Sequence, residues 1–369
     1  MPKATETVLE INLTALGNNY HYLKSKLQAN TKFLAVVKAY AYGSDSVEIA
    51  KELVNLGVDY LAVAYVKEGV ILRDAGIKAP IIVLHPQSVN FKTLIDRCLE
   101  PSLYSPKIFN EFIAIAEKNN QTNYPVHIKF NTGLNRLGFS ENEIDFMVSK
   151  LKETNSVLVK SIFSHLAASE DEDEITFSNS QIECFTSISE KLFKNLAYQP
   201  LKHMCNTSGI LNFPEAHFDM VRSGIGLYGF SNIQKEQKHF TPIATLKSVI
   251  SQIHSIKKGE TVGYNRAFKS DSFLKTATIP IGHADGLSRA YGNEKGWVTI
   301  NGEKAAIIGN VCMDMIMVNI TNIDCKEGDE IIVFGDSKTA ENLSEKINSI
   351  SYELITAISQ RIKRVVYRK

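Results

Sequence analysis

The stretch KFLAVVKAYAYGSDSVEIAKELVNLGVDYLAVAY, residues 32–65, decides the fold. It begins with a short apolar run, KFLAVVKA, of the kind that forms a strand buried on both faces. Beyond a turn at Gly43, SVEIAKELVNLG places Ile49, Leu53 and Leu56 on one helical face and Gly57 where a C-cap belongs. A second apolar run, DYLAVAY, follows at once. The whole is a strand–helix–strand unit, which requires two parallel strands.

The same alternation continues outward to about Phe230. The candidate strands are KFLAVVKA, DYLAVAY, PIIVLH, EPSLY, PVHIKFN, VLVKSIFSHL, LKHMCN and FDMVR, which makes eight. Eight such units favour a closed (β/α)8 barrel over an open doubly wound sheet, and in a barrel the chemistry sits at the C-terminal ends of the strands. After about Phe240 the pattern changes to alternating strands, TLKSVISQIHSI, LKTATIPIG, WVTINGEKAAIIG and DEIIVFG, with Asn301-Gly302 as a type I′ hairpin turn. One helix is expected from about Ala340 to Ile362, followed by a last strand, RVVYR. The expected division is an α/β barrel over residues 12–235 and a mostly-β domain over 236–369, joined by an N-terminal strand at 6–11.

With 41 Lys and Arg against 40 Asp and Glu, the chain has no electrostatic footprint for nucleic acid or an anionic membrane. A small-molecule partner is expected. The 5 cysteines form neither a CxxC pair nor a metal-ligand pattern, which reads as reduced thiols in a cytoplasmic protein without a metal site. No signal-peptide layout and no apolar run of the ~20 residues that cross a bilayer is visible.

Lys38 closes the first barrel strand. It can be a rim lysine whose stem packs while its ammonium reaches water, or a desolvated amine able to form a Schiff base with an aldehyde. Other strand ends offer Lys129 and Asn131 followed by TGLNR, then His165, Asn206-Thr207, and Arg222 followed by SGIGLYG. Each has an ordinary reading as a turn or a core residue. Together they bring a lysine, a histidine and arginines to one barrel mouth. The loops after the seventh and eighth strands, with Thr207, Ser208, Gly224 and Ile225, suit a phosphate. A phosphate site opposite an aldehyde-binding lysine describes pyridoxal phosphate.

AVVKAYAYG, NTGLNRLG, SHLAASED, CNTS, DMVRSGIGLYG, TVGYN, IGHADGLSR, GNVCMDMIMV and SYELITAISQRIKRVVY occur in this order over nearly the whole chain. Their succession resembles the motifs of the alanine racemases, a family that joins a pyridoxal-phosphate barrel to a β domain and works as a homodimer. The resemblance implies that Lys38 carries the cofactor and acts as one acid/base. Tyr264, reaching the site from a partner subunit, is the other. Two groups are needed because the α-carbon becomes planar on losing its proton and must be reprotonated from the opposite face. A tyrosine base needs positive neighbours, and the resemblance assigns this to His165 and Arg222. Arg222 also faces the pyridine nitrogen.

Tyr42, Asn206, Thr207, Gly224, Ile225 and Tyr352 match cofactor-holding positions. Arg136 and the backbone of Met313, the latter again from the partner, match positions that bind the substrate carboxylate. Lys129 matches a lysine that is carbamylated in many members and fixes Arg136. Several residues depart from the family pattern: Asn131 and Asn135 stand for aspartate and glycine, His283 for a tyrosine that lines substrate access, and Asn265 for glycine. Tyr40, Ser44 and Asp45 stand for asparagine, histidine and glycine. The implied reaction is the interconversion of L- and D-alanine for peptidoglycan. A racemase of serine or of a broader set, a decarboxylase of similar fold, and a non-catalytic pyridoxal-phosphate protein are the alternatives.

Overall fold

The computed structural model describes residues 3–368, so Lys369, the last residue of the expected second domain, lies outside them. The first strand is β1 (Val8–Asn12). The next eight are all parallel and close into a barrel: β2 (Lys32–Val36), β3 (Tyr60–Val63), β4 (Ile81–Val83), β5 (Glu100–Leu103), β6 (Tyr124–Lys129), β7 (Val157–Phe163), β8 (Leu201–His203) and β9 (Met220–Ser223). Closure is made by β2 against β9, with Lys32 opposite Met220 and Ala35 opposite Ser223. The eight expected strands are all present.

Some of the helices between the strands start where the chain supplies a side-chain cap. The Asp45 carboxylate accepts from the Val47 and Glu48 amides to open Ser46–Asn55, and Ser105 with a proline at the first position opens Pro106–Lys118. Inside the barrel, side chains alternate with those facing the helices. Leu34, Val36, Tyr60, Ala62, Ile82 and Met220 form an apolar cluster there. Across from it the interior is polar, with Glu100, His127, Ser161, His203 and Arg222 joined by hydrogen bonds.

Nine of the remaining strands build a sheet in which β1 lies between Ala244–Val249, antiparallel, and Lys363–Tyr367, parallel, and Thr261–Val262 and Phe268–Lys269 form a separate two-stranded pair. The Asn301-Gly302 turn has φ of 50° and 87°, the left-handed pair that a type I′ hairpin requires. Two expectations need correction. TLKSVISQIHSI is two strands, Ala244–Val249 and Gln252–Ile256, because the chain leaves one neighbour for another: Ile250 N donates to Asp329 O and Ser251 N to Thr278 O. The single helix expected over 340–362 is two, Ser337–Glu345 and Ser351–Thr356, broken at Asn348, whose φ of 54° no right-handed helix accommodates. Among the described residues no helix is long and apolar enough to cross a membrane.

Candidate active site

The first barrel strand stops at Val36, earlier than its apolar run suggests, and Lys38 opens a left-handed turn. Ala39, Tyr40, Ala41 and Tyr42 all have φ between 52° and 54°, and Gly43 has φ 80°. For residues with a Cβ this costs roughly 1–2 kcal/mol each, so the surroundings must hold the turn. Glu68 accepts from Ala39 N at 2.6 Å. Arg364, on the last strand, donates to Gly43 O at 2.9 Å and Ser44 O at 3.2 Å, and its other contacts are the carbonyls of Ile358, Ser359 and Ile362. Gly43 admits no substitute, because a Cβ there would lie 2.0 Å from Ile355 O. The C-terminal segment therefore clamps the turn that carries Lys38. Arg364→Met should destabilise the protein by about 3 kcal/mol, since it strands several partly buried carbonyls. Urea unfolding checks this.

Inward parity continues past the strand ends. Val36 is followed by Lys38, Phe163 by His165 and Arg222 by Gly224, and these residues, with Leu84 two places beyond Ile82, line a cavity of about 570 Å³ at the barrel mouth. Lys129, Arg136, Tyr42, Asn206, Thr207, Ser208, Ile225 and Tyr352 complete much of the wall, so the structure gathers most of the sequence-predicted site. Tyr264 and Met313 are absent from the lining; they sit on connections between strands of the C-terminal part of the chain, 73% and 59% exposed. Sequence reasoning passed over Tyr65, His85 and Phe163, which also line the cavity. Phe163 keeps the period-2 register of Ser161, which was the signal available for it, whereas Tyr65 and His85 are out of register with the inward Ala62 and Ile82, so strand parity does not mark them.

The lining carries Lys38, Lys129, Arg136 and Arg222 and no carboxylate, so the cavity suits a ligand with anionic groups. Burial lowers the pKa of the Lys38 amine, and the Arg136 charge lowers it further against a smaller opposing pull from Glu68. Burial, then Arg136, Arg222 and Lys38, bring Lys129 down to about 8. His165 is held neutral, well below the ordinary histidine value, by burial and then by Arg222. Arg222 is buried, donates to the Ser164 and Met204 carbonyls at 2.7 and 3.0 Å and approaches His165 Nδ1 at 3.0 Å, and lies over the Phe163 ring.

Lys129 carries a testable cost. Its folded pKa lies below that of the unfolded chain, so its charged form opposes folding below pH 8 and this penalty fades between pH 8 and 10.5. Lys129→Met should stabilise the cofactor-free protein, prepared without bicarbonate, by about 2 kcal/mol at pH 7. The gain should vanish near pH 10.5 in melting measurements.

On the loops after β8 and β9, the second of which is paired to the strand that leads to Lys38, lies an anion cradle. The short helix Thr207–Asn212 and the turn at Gly224–Gly229 both begin with backbone N–H groups that no preceding carbonyl of their own turn can reach. Thr207 Oγ1 pairs with Ser223 Oγ at 3.0 Å and accepts from Gly226 N at 3.3 Å, tying the two loops together. Tyr42 stacks on Tyr228 and puts its hydroxyl 2.1 Å from where a Gly224 Cβ would be, so only glycine lets the phenol reach the cradle. Amides and hydroxyls of the cradle and an amine whose pKa burial lowers fit the phosphate and the aldehyde of pyridoxal phosphate.

Two departures from the family pattern are absorbed locally. Asn131 Oδ1 accepts from the Gly133 and Asn135 amides, the service an aspartate would give, and Asn135 takes the left-handed φ of 55° that glycine would take. Asn265, at φ 57°, does likewise.

A closed βα barrel with a cation-lined mouth, an amine sharing a cavity with an anion cradle and an appended antiparallel sheet defines a barrel-type pyridoxal-phosphate enzyme. Sequence profiles of the alanine racemase N-terminal domain and C-terminal domain match residues 11–232 and 243–366. The chain belongs to the alanine racemase family. It is 34% identical to the alanine racemase of Methanococcus maripaludis, covering 96% of this chain and 97% of that one. The solved alanine racemase of Clostridium difficile 630 superposes with a TM-score of 0.92 at 33% identity, over 99% of this chain and 97% of that one. The alanine racemase of Bartonella henselae, solved with covalently bound pyridoxal phosphate, gives 0.88 at 29% identity over 99% and 100% of the two chains.

Proposed function

We propose that this protein is a pyridoxal-phosphate-dependent isomerase that interconverts L- and D-alanine. The observation that carries this reading is the cavity that Lys38 shares with an amide-and-hydroxyl cradle, its wall holding two lysines, two arginines and no carboxylate. When bound, pyridoxal phosphate supplies an electron-accepting ring that makes the α-proton of an amino acid removable.

The chain's own residues do the rest. Lys38 would hold the cofactor through its aldehyde and, when free, would move a proton at one face of the α-carbon. Tyr42, Asn206, Thr207, Gly224, Ile225 and Tyr352 hold the phosphate end, with Asn206 fixed by its bonds to Ser169 and Gly209 N. Arg222, whose guanidinium keeps its proton at neutral pH, would hold the ring-nitrogen end and leave that nitrogen unprotonated. His165 is kept neutral by burial and so is not the positive neighbour expected of it; its part would be to relay the Arg222 charge to Tyr264 by hydrogen bonding. Arg136 and the Met313 amide bind the substrate carboxylate.

Inversion requires a second group on the far face, and Tyr264 is that group. Its exposure, with that of Met313, Met315 and Phe273, fits a surface that a second copy covers. We therefore read the protein as a homodimer whose two sites each take Tyr264 and Met313 from the partner subunit. Lys129 supports the site as a carbamate. At a pKa of about 8, roughly a tenth of the amine is neutral at pH 7 and open to carbon dioxide, and the resulting anion would offset the Arg136 charge. The barrel over 12–235 and the β-rich domain over 236–369, joined by the 6–11 strand, would then be the two units of each subunit. The reaction belongs in the cytoplasm, where peptidoglycan precursors are assembled. Incubation of the yellow, cofactor-loaded protein with L-alanine, followed by chiral separation, should yield D-alanine to near equality. Absence of D-alanine overturns the assignment.

A further inference from the structure

Arg222 is buried, and among the described residues no carboxylate lies within ion-pair distance of it. Its guanidinium is instead the top of a hydrogen-bonded chain that descends the inside of the barrel. Arg222 Nη1 meets His203 Nδ1 at 2.8 Å, His203 Nε2 meets Ser161 Oγ at 2.9 Å, Ser161 Oγ meets His127 Nδ1 at 2.6 Å, and His127 Nε2 meets Glu100 Oε2 at 2.7 Å. Four strands supply the links below Arg222, β8, β7, β6 and β5, so the chain exists only in the closed barrel. Glu100 begins β5, at the end away from the mouth, and its side chain is 14% exposed.

Both ends of this chain fix its direction. An arginine has only donors and a carboxylate only acceptors. Arg222 donates to His203 Nδ1, which places the His203 proton on Nε2, where it donates to Ser161 Oγ. The serine has one hydrogen, and its remaining neighbour in the chain is His127 Nδ1. It donates there, leaving the His127 proton on Nε2 to donate to Glu100. The alternative, a doubly protonated His127, would leave a fully buried hydroxyl hydrogen without an acceptor, a cost of about 1–3 kcal/mol. Apolar and aromatic walls keep water from interrupting the links: Phe163 stacks on His203 at 4.8 Å, and Tyr60 meets His127 edge-on at 6.1 Å. Aligned bonds of this kind polarise one another.

We propose that Glu100, acting through His127, Ser161 and His203, is the remote counter-charge and orienting anchor of Arg222, which makes His127 and Ser161 positioning residues of the reaction although neither lines the cavity. The consequence follows from the reading of Arg222 as the group facing the cofactor ring. A guanidinium anchored on one side by this chain, and on the other by the Ser164 and Met204 carbonyls, cannot turn away from that ring or pass it a proton.

The test uses histidine-labelled holoenzyme and long-range 1H–15N spectra, which distinguish the two neutral tautomers from the imidazolium without requiring turnover. The expected result at pH 7 is that His127 and His203 are both neutral and both protonated on Nε2. Ser161→Ala, which cuts the chain in its middle, should shift the His127 and His203 signals and lower kcat by on the order of 10-fold with KM little changed. It should also raise the rate at which the cofactor is lost to its amine form during turnover. Glu100→Gln, which keeps an acceptor but removes the charge, should retain both tautomers and still lose activity. A His203 protonated on Nδ1, or an imidazolium at His127, would overturn the proposal. So would a folded Ser161→Ala enzyme with wild-type spectra and kcat. Should Ser161→Ala fail to fold, the wild-type spectrum and Glu100→Gln decide. If the tautomers are as expected but alanine is not racemised, the chain stands and the functional reading alone fails.

Discussion

Lys38→Ala is expected to fold normally and to racemise alanine at no more than about 10⁻⁴ of the wild-type rate. Two roles vanish with one amine. The residue that holds the cofactor in place is also the group that moves a proton on one face of the substrate, so the losses do not substitute for each other. Folding should survive because Lys38 is half-buried at the rim and the turn it opens is held by Glu68, Arg364 and the seat of Gly43 against Ile355, none of which needs the ammonium. Burial and Arg136 both disfavour the charged amine, so its removal costs the fold little. Steady-state kinetics, circular dichroism and loss of the yellow colour on gel filtration check the three parts of this expectation.

Tyr264→Phe is expected to lower racemisation by about 10²–10⁴-fold while leaving cofactor binding intact. The phenol ring lies on an exposed turn, Tyr264–Arg266, held by Asn310 Nδ2 donating to the Tyr264 carbonyl, so loss of the hydroxyl disturbs no packing within the chain. Only the far-face proton is affected. Exchange of the α-proton of one alanine enantiomer with solvent deuterium, carried out at Lys38, should persist while inversion fails. That split separates a missing second base from a damaged site. Wild-type racemisation by Tyr264→Phe would remove Tyr264 from the mechanism.

The barrel was legible because its signal repeats. Short apolar runs separated by helical periods, as in residues 32–65, leave few other architectures, and placing chemistry at strand ends then singles out Lys38, His165 and Arg222. The β1 strand was also readable, as an alternating run before the first helix. What could not be read depends on the fold being closed. Glu100, His127, Ser161 and His203 are unremarkable at their own positions and meet only across the barrel interior. The left-handed turn was hidden because Ala39, Tyr40, Ala41 and Tyr42 carry none of the glycine or asparagine that ordinarily marks positive φ; contacts with distant Arg364 and Glu68 override local preference. Tyr40, half-exposed in that turn, has no structural reason to be tyrosine. The break at Asn348 was missed because apolar residues on either side keep a helical spacing while one backbone angle ends the helix.

The central claim, that Lys38 and Tyr264 of two different copies make one racemising site, is tested by mixing the two inactive variants. Lys38→Ala and Tyr264→Phe subunits, unfolded together and refolded at equal ratio, should form mixed dimers in half of the cases, each with one intact site. Activity should then recover to about a quarter of wild type. A refolded mixture no more active than either parent, with mixed dimers verified by mass, would contradict the shared site.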